Sequence, residues 1–172
     1  MELNIQSDEE KLLETALSGN IFEVISRMIV NHHNELAKTV ALYTLLKIME
    51  KEIGLRKMFE SHDQTRCIFG ALRTMILEVV NNSDQPNYKI CKHTVKIYKI
   101  LFDYRKNVEY PVLKEIPIEI NSEHIKDILS KDNQGLAIWQ KLVEEVRHQR
   151  KENSKHIYHA SLQALKDSSN QK

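Results

Sequence analysis

Thr94-Val95-Lys96-Ile97-Tyr98-Lys99-Ile100-Leu101 repeats a pattern that stands 55 residues earlier, at Thr39-Val40-Ala41-Leu42-Tyr43-Thr44-Leu45-Leu46. Thr, Val, Tyr and the last Leu are identical, and the other two apolar positions exchange Leu and Ile. A weaker echo, an aliphatic residue followed by an aromatic one, lies at Ile138-Trp139, 41 residues beyond Ile97-Tyr98. A helical segment that recurs at such a spacing marks a solenoid, in which each repeat buries its apolar faces on its neighbours. On this reading Tyr43 and Tyr98 occupy equivalent sites between helices.

The rest of the chain agrees with helices and short connections. Its 172 residues hold only 4 Gly and 3 Pro, few breakers for that length. Formal net charge is +1, so overall charge selects no class of partner and any electrostatic signal is local. Cys67 and Cys91 have neither metal-site spacing nor the density of a disulfide framework, which implies a reducing compartment. No apolar run has membrane length and the first residues lack the regions of a signal peptide, so a soluble protein is expected.

Taken in order, Ser7-Asp8-Glu9-Glu10 reads as a capping box, with residues 1–6 disordered before it. Leu12, Leu13, Ala16 and Leu17 then form one apolar face, ended at Gly19-Asn20. Ile21 to Ile29 predicts a second helix, broken at His32-His33-Asn34. The first organising helix spans Glu35 to about Lys51. Gly54 marks a restart before a short helix to Phe59, and a long helix runs from about Gln64 to Val80. Asn81-Asn82-Ser83-Asp84-Gln85-Pro86 is the clearest loop. The second organising helix runs from near Asn87 to about Tyr104. A short helix near Asn107 is expected to stop at Pro111. Ile116 to Ile120 alternates like a strand but has no partner strand, so an extended connection is expected there. Ser122 caps a helix through Leu129, and the last core helix runs from about Gly135 to Arg150 with Trp139, Leu142, Val143 and Val146 inward. The domain is thus 7–151, and 152–172 is a polar tail, disordered or marginally helical. The expected fold is all-α, a short armadillo-like α-solenoid of about three repeats.

Glu35-Leu36-Ala37-Lys38-Thr39-Val40, then Gly54-Leu55, then Lys92-His93-Thr94-Val95-Lys96-Ile97-Tyr98 with Asp103 five residues on, resemble a known family. It is the Rcd-type (cell differentiation) armadillo subunit of the eukaryotic Ccr–Not deadenylase complex. That family reads E-L-S-K-T-V, G-L and K-H-V-V-R-C-Y followed by Asp, at the same intervals. The likeness covers about Leu12 to Val146 and corresponds to the C-terminal half of the family's domain. It implies a scaffold without catalytic activity that bridges the complex's Not scaffold subunit to recruiting proteins presenting short peptides. A cytoplasmic location follows, with a nuclear one also open. With the family's first repeats missing, apolar exposure is expected around Leu13, Leu17 and Ile21.

Two constellations are candidates for binding. Lys89, Lys92, Lys96 and Lys99 fall at i, i+3, i+7 and i+10 on one helix, with His93 among them. The plain reading is a solvated face. The functional one is a concave surface for acidic peptides or a phosphate backbone, the latter making the chain a module for single-stranded nucleic acid. A third reading is a diverged paralogue binding unrelated peptides. The other constellation comes from the resemblance: animal members hold tryptophan side chains in small convex pockets. Here His62 replaces a Tyr, Gln64 an Arg and Tyr110 an Ala, while Lys89 and Lys106 replace Arg, which implies pockets degenerate for indole. His32-His33 and the scattered His124, His148, His156 and His159 give no converging set, so no metal or other cofactor is expected. Cys67 sits on an apolar helix and reads as a buried structural thiol rather than a nucleophile paired with His93. No Gly-rich phosphate loop or hydrolase motif is present, so no enzyme is expected, and without an apolar run of membrane length no membrane partner is expected.

Overall fold

The computed structural model describes residues 2–31, 33–82 and 87–169, with side chains described for 8, 11–31, 33–82 and 87–158. These residues form nine α-helices and two short 3₁₀ turns, with no β-strand among them. The helices are α1 (Glu2–Leu17), α2 (Ile21–Asn31), α3 (Glu35–Met49), α4 (Glu52–Phe59), α5 (His62–Asn81), α6 (Tyr88–Tyr104), α7 (Val112–Glu115), α8 (Glu123–Leu129) and α9 (Asn133–Ser169).

Packing follows a period of three. α1 lies on α4, α2 on α5, α3 on α6, α5 on α8 and α6 on α9. Each triplet therefore repeats one unit, and the second- and third-rank helices stack into layers, while in the first rank α4 stacks on α1. This is an all-α solenoid, and α3, α6 and α9 form its third layer. Each helix of that layer starts from a short polar cap. Asn34 accepts from the Leu36 amide at 2.8 Å, Asn87 from the Ile90 amide at 3.1 Å and Asp132 from the Gln134 amide at 3.0 Å, satisfying donors that a helix start leaves free.

The caps correct the register of the repeat. They align α3 with α6 at 53 positions (34 to 87), two fewer than the sequence pattern. Ala41, Leu42, Leu45, Ile48 and Met49 then fall on Thr94, Val95, Tyr98, Leu101 and Phe102, all buried. Aligned in the same way, Thr94, Ile97, Tyr98 and Leu101 fall on Trp139, Leu142, Val143 and Val146, also buried. Two residues are about 200° around a helix, so the repeated tyrosines are not equivalent. Tyr98 is 0% exposed and Tyr43 is 49% exposed.

Gly54 lies inside α4, where the helix crosses the end of α3. A Cβ there would come within 2.7 Å of Ile48 Cγ2 and closer still to the Ile48 carbonyl oxygen, so only glycine allows the approach. Trp139 is core as expected, and its indole N–H donates to the Ile120 carbonyl at 2.7 Å.

Several local expectations differ. α1 begins at Glu2, so Ser7 sits within a helix and is no cap. Leu17 is buried and Leu13 and Ile21 are half-buried, and among the described residues the exposed large apolar side chains at this end are Leu12 and Val24. Pro111 precedes α7 rather than ending a helix, since its fixed φ suits a helix start. Ile118–Asn121 is a 3₁₀ turn that buries Ile116 and Ile120 and leaves Ile118 outside. The chain after Lys151 continues α9 as helix to Ser169. His32 and residues 83–86 of the anticipated loop lie outside the described residues.

Candidate functional site

The outward ridge of the third layer follows from the same alignment. Leu36, Val40, Tyr43 and Lys47 on α3 correspond to Lys89, His93, Lys96 and Ile100 on α6, and to Gln134, Ile138, Lys141 and Glu145 on α9. Leu36 is 69% exposed and Val40 51%. An apolar strip on α3 thus adjoins a basic strip on α6.

The five predicted residues of the basic stripe do not share one environment. Lys92 ion-pairs with Asp132, the cap of α9, and its ammonium also lies over the Tyr88 ring at 5.6 Å. The Tyr88 hydroxyl donates to the same carboxylate. With Lys92 first and Tyr88 second, these donors hold the Asp132 carboxyl well below the usual carboxylate range. Lys99 pairs with Asp103 on its own helix at 2.5 Å and with Glu145 of α9 at 3.2 Å. Lys92 and Lys99 are therefore struts of the α6–α9 seam. Lys96 reaches the Gln134 side-chain oxygen at 3.5 Å, and no carboxylate among the described residues pairs with Lys89 or Lys96.

His93 lies between those two lysines. Its ring meets Tyr43 edge-on, with centroids 5.7 Å apart, and its Nδ1 is buried without a hydrogen-bond partner among the described residues. Burial first, and then Lys96, Lys92, Lys89 and Lys47, lower its pKa from the ordinary histidine value.

Of the positions matched to tryptophan pockets, the structure brings His62 and Tyr110 together, whereas Lys89 lines the space between α3 and α6. Tyr110 stacks parallel on Phe69 at 5.6 Å between centroids and lies 5.9 Å from Phe59 and 5.8 Å from His62. Its hydroxyl donates to Glu115 at 3.2 Å. His62 and Gln64 occupy the first turn of α5, where Ser61 accepts from the Gln64 amide. Lys106 is exposed in the 3₁₀ turn Arg105–Asn107. The phenol thus occupies an aromatic nest of its own chain. Sequence reasoning missed Phe59 and Phe69 as its walls, because α4 and α5 meet only in the fold.

The cysteines divide differently from expectation. Cys67 is exposed on α5, on the arc opposite Ile68, Leu72, Met75 and Ile76, whereas Cys91 is buried. Burial pushes the Cys91 thiol up to about 12, which keeps it protonated and unreactive. Among the described residues no group of three His, Cys, Asp or Glu side chains is placed to hold a metal, and no helix is long and apolar enough to cross a membrane.

Comparison with known proteins adds to this geometry. The cell differentiation protein rcd1 of fission yeast (Schizosaccharomyces pombe) is 24% identical over 99 residues, which is 58% of this chain and 34% of that protein. The chain therefore spans about a third of that relative's length. A model of the Rcd1-like cell differentiation family matches residues 3–146, from α1 through the buried part of α9. Matched from end to end of its solenoid, the chain belongs to the Rcd1-like cell differentiation family.

Proposed function

We propose that this chain is a non-catalytic adaptor of the Ccr–Not machinery for mRNA deadenylation and decay. It binds a Not scaffold subunit and short peptides of recruiting proteins. The observation that carries the proposal is the family match over 3–146, which takes in all three layers rather than one motif. Two of the motifs shared with the family have physical work within the solenoid. Gly54 permits the crossing of α3 and α4. Tyr98 fills the core against Phe69. Their retention supports an armadillo-type scaffold of the family's kind, working in the cytoplasm or the nucleus.

Recruitment on this proposal runs through the ridge of α3, α6 and α9, where apolar and basic side chains stand open. It does not run through tryptophan capture at His62, Gln64, Lys106 and Tyr110, because the Tyr110 ring already stacks on Phe69 and a lysine lacks the planar face of an arginine. The nucleic-acid reading is weaker, since carboxylates neutralise Lys92 and Lys99 and a phosphate backbone is held by free cations.

Affinity purification of the tagged chain from its own cells, followed by mass spectrometry, tests the adaptor role. Recovery of a Not scaffold with deadenylase subunits is expected. Clean recovery of the chain with none of these would overturn it. Titration with a tryptophan-containing glycine-rich peptide should give no saturable shifts at Lys106 and Tyr110.

A further inference from the structure

A groove of about 390 Å³ runs between α3 and α6. Val40 and Tyr43 wall one side, and Tyr88, Lys89, Lys92 and His93 the other. None of its lining residues is acidic. The charged groups around the His93 ring are Lys89, Lys92 and Lys96 on its own helix and Lys47 on α3. Two of these lysines are paired with acids, and Glu35 on α3 accepts from the Asn87 side chain at the start of α6, at 2.9 Å. Asp132, from the α9 side, holds Lys92, and Glu50, at the end of α3, holds Lys47 at 2.7 Å. The phenol of Tyr43 faces the histidine from α3 with its ring and not with a charge. The groove thus offers an apolar wall, a cationic rim and an imidazole with an unused buried nitrogen.

We propose that this groove takes an acidic peptide segment carrying an aliphatic or aromatic anchor, and that binding is coupled to proton uptake at His93. The inference rests on the peptide-docking reading above and adds its regulation. The anchor removes Val40 and Tyr43 from water, which is where a docked segment gains most. A carboxylate beside the ring reverses the local field, because an opposite charge favours the imidazolium that the lysines oppose. The bound histidine therefore titrates higher than the free one. Affinity is greatest below the free-state pKa. It falls as pH rises through the window between the free and bound values, by at most about tenfold per pH unit for one proton. Lysines alone would bind the same segment with no such slope, since they stay charged throughout that window. A peptide is favoured over nucleic acid because the α3 wall is apolar and only Lys89 and Lys96 lack carboxylate partners among the described residues.

The test uses the full chain and the random copolymer of glutamate and tyrosine, with polyglutamate and polyuridylate as comparison probes. Calorimetry in two buffers of different ionisation enthalpy reads proton uptake, and ring resonances of His93 read its pKa free and bound. The copolymer should bind more tightly than polyglutamate, take up a proton at pH values between the free and the bound His93 pKa, and raise that pKa. His93→Gln should lose the pH slope and bind at all pH values with the weaker affinity the parent shows at high pH, and Lys89→Glu with Lys96→Glu should weaken binding at every pH. Copolymer binding with an unchanged His93 pKa would overturn the proton coupling and leave the docking face standing. Binding indifferent to the lysine reversals would overturn the groove itself, and so would tighter binding of polyuridylate. A Not scaffold recovered by purification alongside either failure would show that the adaptor role survives without this site.

Discussion

α3 and α6 hold the same rank in successive repeats, begin on the same kind of cap and bury matching faces, yet their outward faces differ. α3 presents Leu36, Val40 and Tyr43, while α6 presents Lys89, His93 and Lys96. The cause lies in their neighbours. α6 is flanked on both sides by helices of its own layer, whereas among the described residues α3 packs within this layer on α6 alone. On its α9 flank α6 spends Lys92 and Lys99 on Asp132 and Glu145. On its α3 flank no acid among the described residues pairs with its lysines, and the apolar strip of α3 stays half open. A stripe continuous in sequence is thus two functions in the fold, one of cohesion and one of reception.

The sharpest way to break this comparison is through its two tyrosines. Tyr98 is wholly buried against Phe69, so Tyr98→Ala should cost on the order of 3 kcal/mol through the cavity it leaves. Tyr43→Ala should cost within about 0.5 kcal/mol, because half of that side chain is already in water. The Tyr98 hydroxyl is buried with no hydrogen-bond partner among the described residues. Tyr98→Phe should therefore leave stability unchanged or raise it slightly. Denaturant melts of the three variants decide the point, and equal losses at 43 and 98 would restore the register of the sequence repeat.

Next in size is the crossing that sets the pitch of the repeat. Gly54→Ala pushes a methyl into the Ile48 backbone, and a rigid carbonyl cannot yield as a side-chain tip would. A loss of about 1–3 kcal/mol is expected, the range for overpacking a close contact. Gly70 provides the control. It lies exposed within α5 with nothing near its Cβ position, so Gly70→Ala should stabilise by about 0.5–1 kcal/mol from helix propensity alone. Opposite signs at two helical glycines in urea titrations would confirm that space, not glycine itself, decides.

Much of the fold was open to reading because a solenoid is local. Helix starts at Asn34, Ser61, Asn87 and Ser122 stand as caps before apolar runs, and those helices lie within a few residues of expectation. The repeat led to the right architecture through a shifted alignment, since apolar residues at successive turns allow neighbouring registers that differ little in hydrophobicity. The caps carried the missing information, and aligning Asn34 with Asn87 would have separated Tyr43 from Tyr98. Cys67 was expected to be buried and is exposed, although Ile68, Leu72, Met75 and Ile76 already define the opposite arc. The partners of Lys92 and Lys99 were not legible. Asp132 and Glu145 lie about 40 residues away, and only the stacking of α9 on α6 brings them in. The Tyr110 nest needed α4, α5 and the bend before α7 to meet and had no sequence signal.

A pH titration sharpens the cohesive flank. The Asp132 carboxyl is depressed in the fold by Lys92 and Tyr88. A depressed carboxyl contributes stability that is fully present above its unfolded pKa, about 3.9, and is lost as pH falls through that value toward the folded one. Asp132→Asn should therefore melt earlier than the parent at neutral pH. The gap should narrow on acidification below about pH 4. A gap that stayed constant to lower pH would mean that the cap geometry, and not the charge, holds α9 to α6.

The smallest effect separates the two flanks most directly. Lys89→Met and Lys92→Met remove the same charge one helical turn apart. Lys89 is exposed and meets no carboxylate among the described residues, so its loss should leave stability within about 0.5 kcal/mol. Lys92→Met strips Asp132 of its principal donor and leaves the carboxylate only the Tyr88 hydroxyl and the backbone amides of its own helix start. Its melting temperature should fall, and raised salt, which screens an exposed charge more than a sheltered pair, should not abolish the difference between the variants. For binding the order should invert: Lys89→Met weakens an acidic peptide through lost attraction at the rim, while Lys92→Met weakens it less, because that charge is already answered by Asp132. If both substitutions moved stability and binding together, the stripe would be one surface after all, and α9 would not divide it.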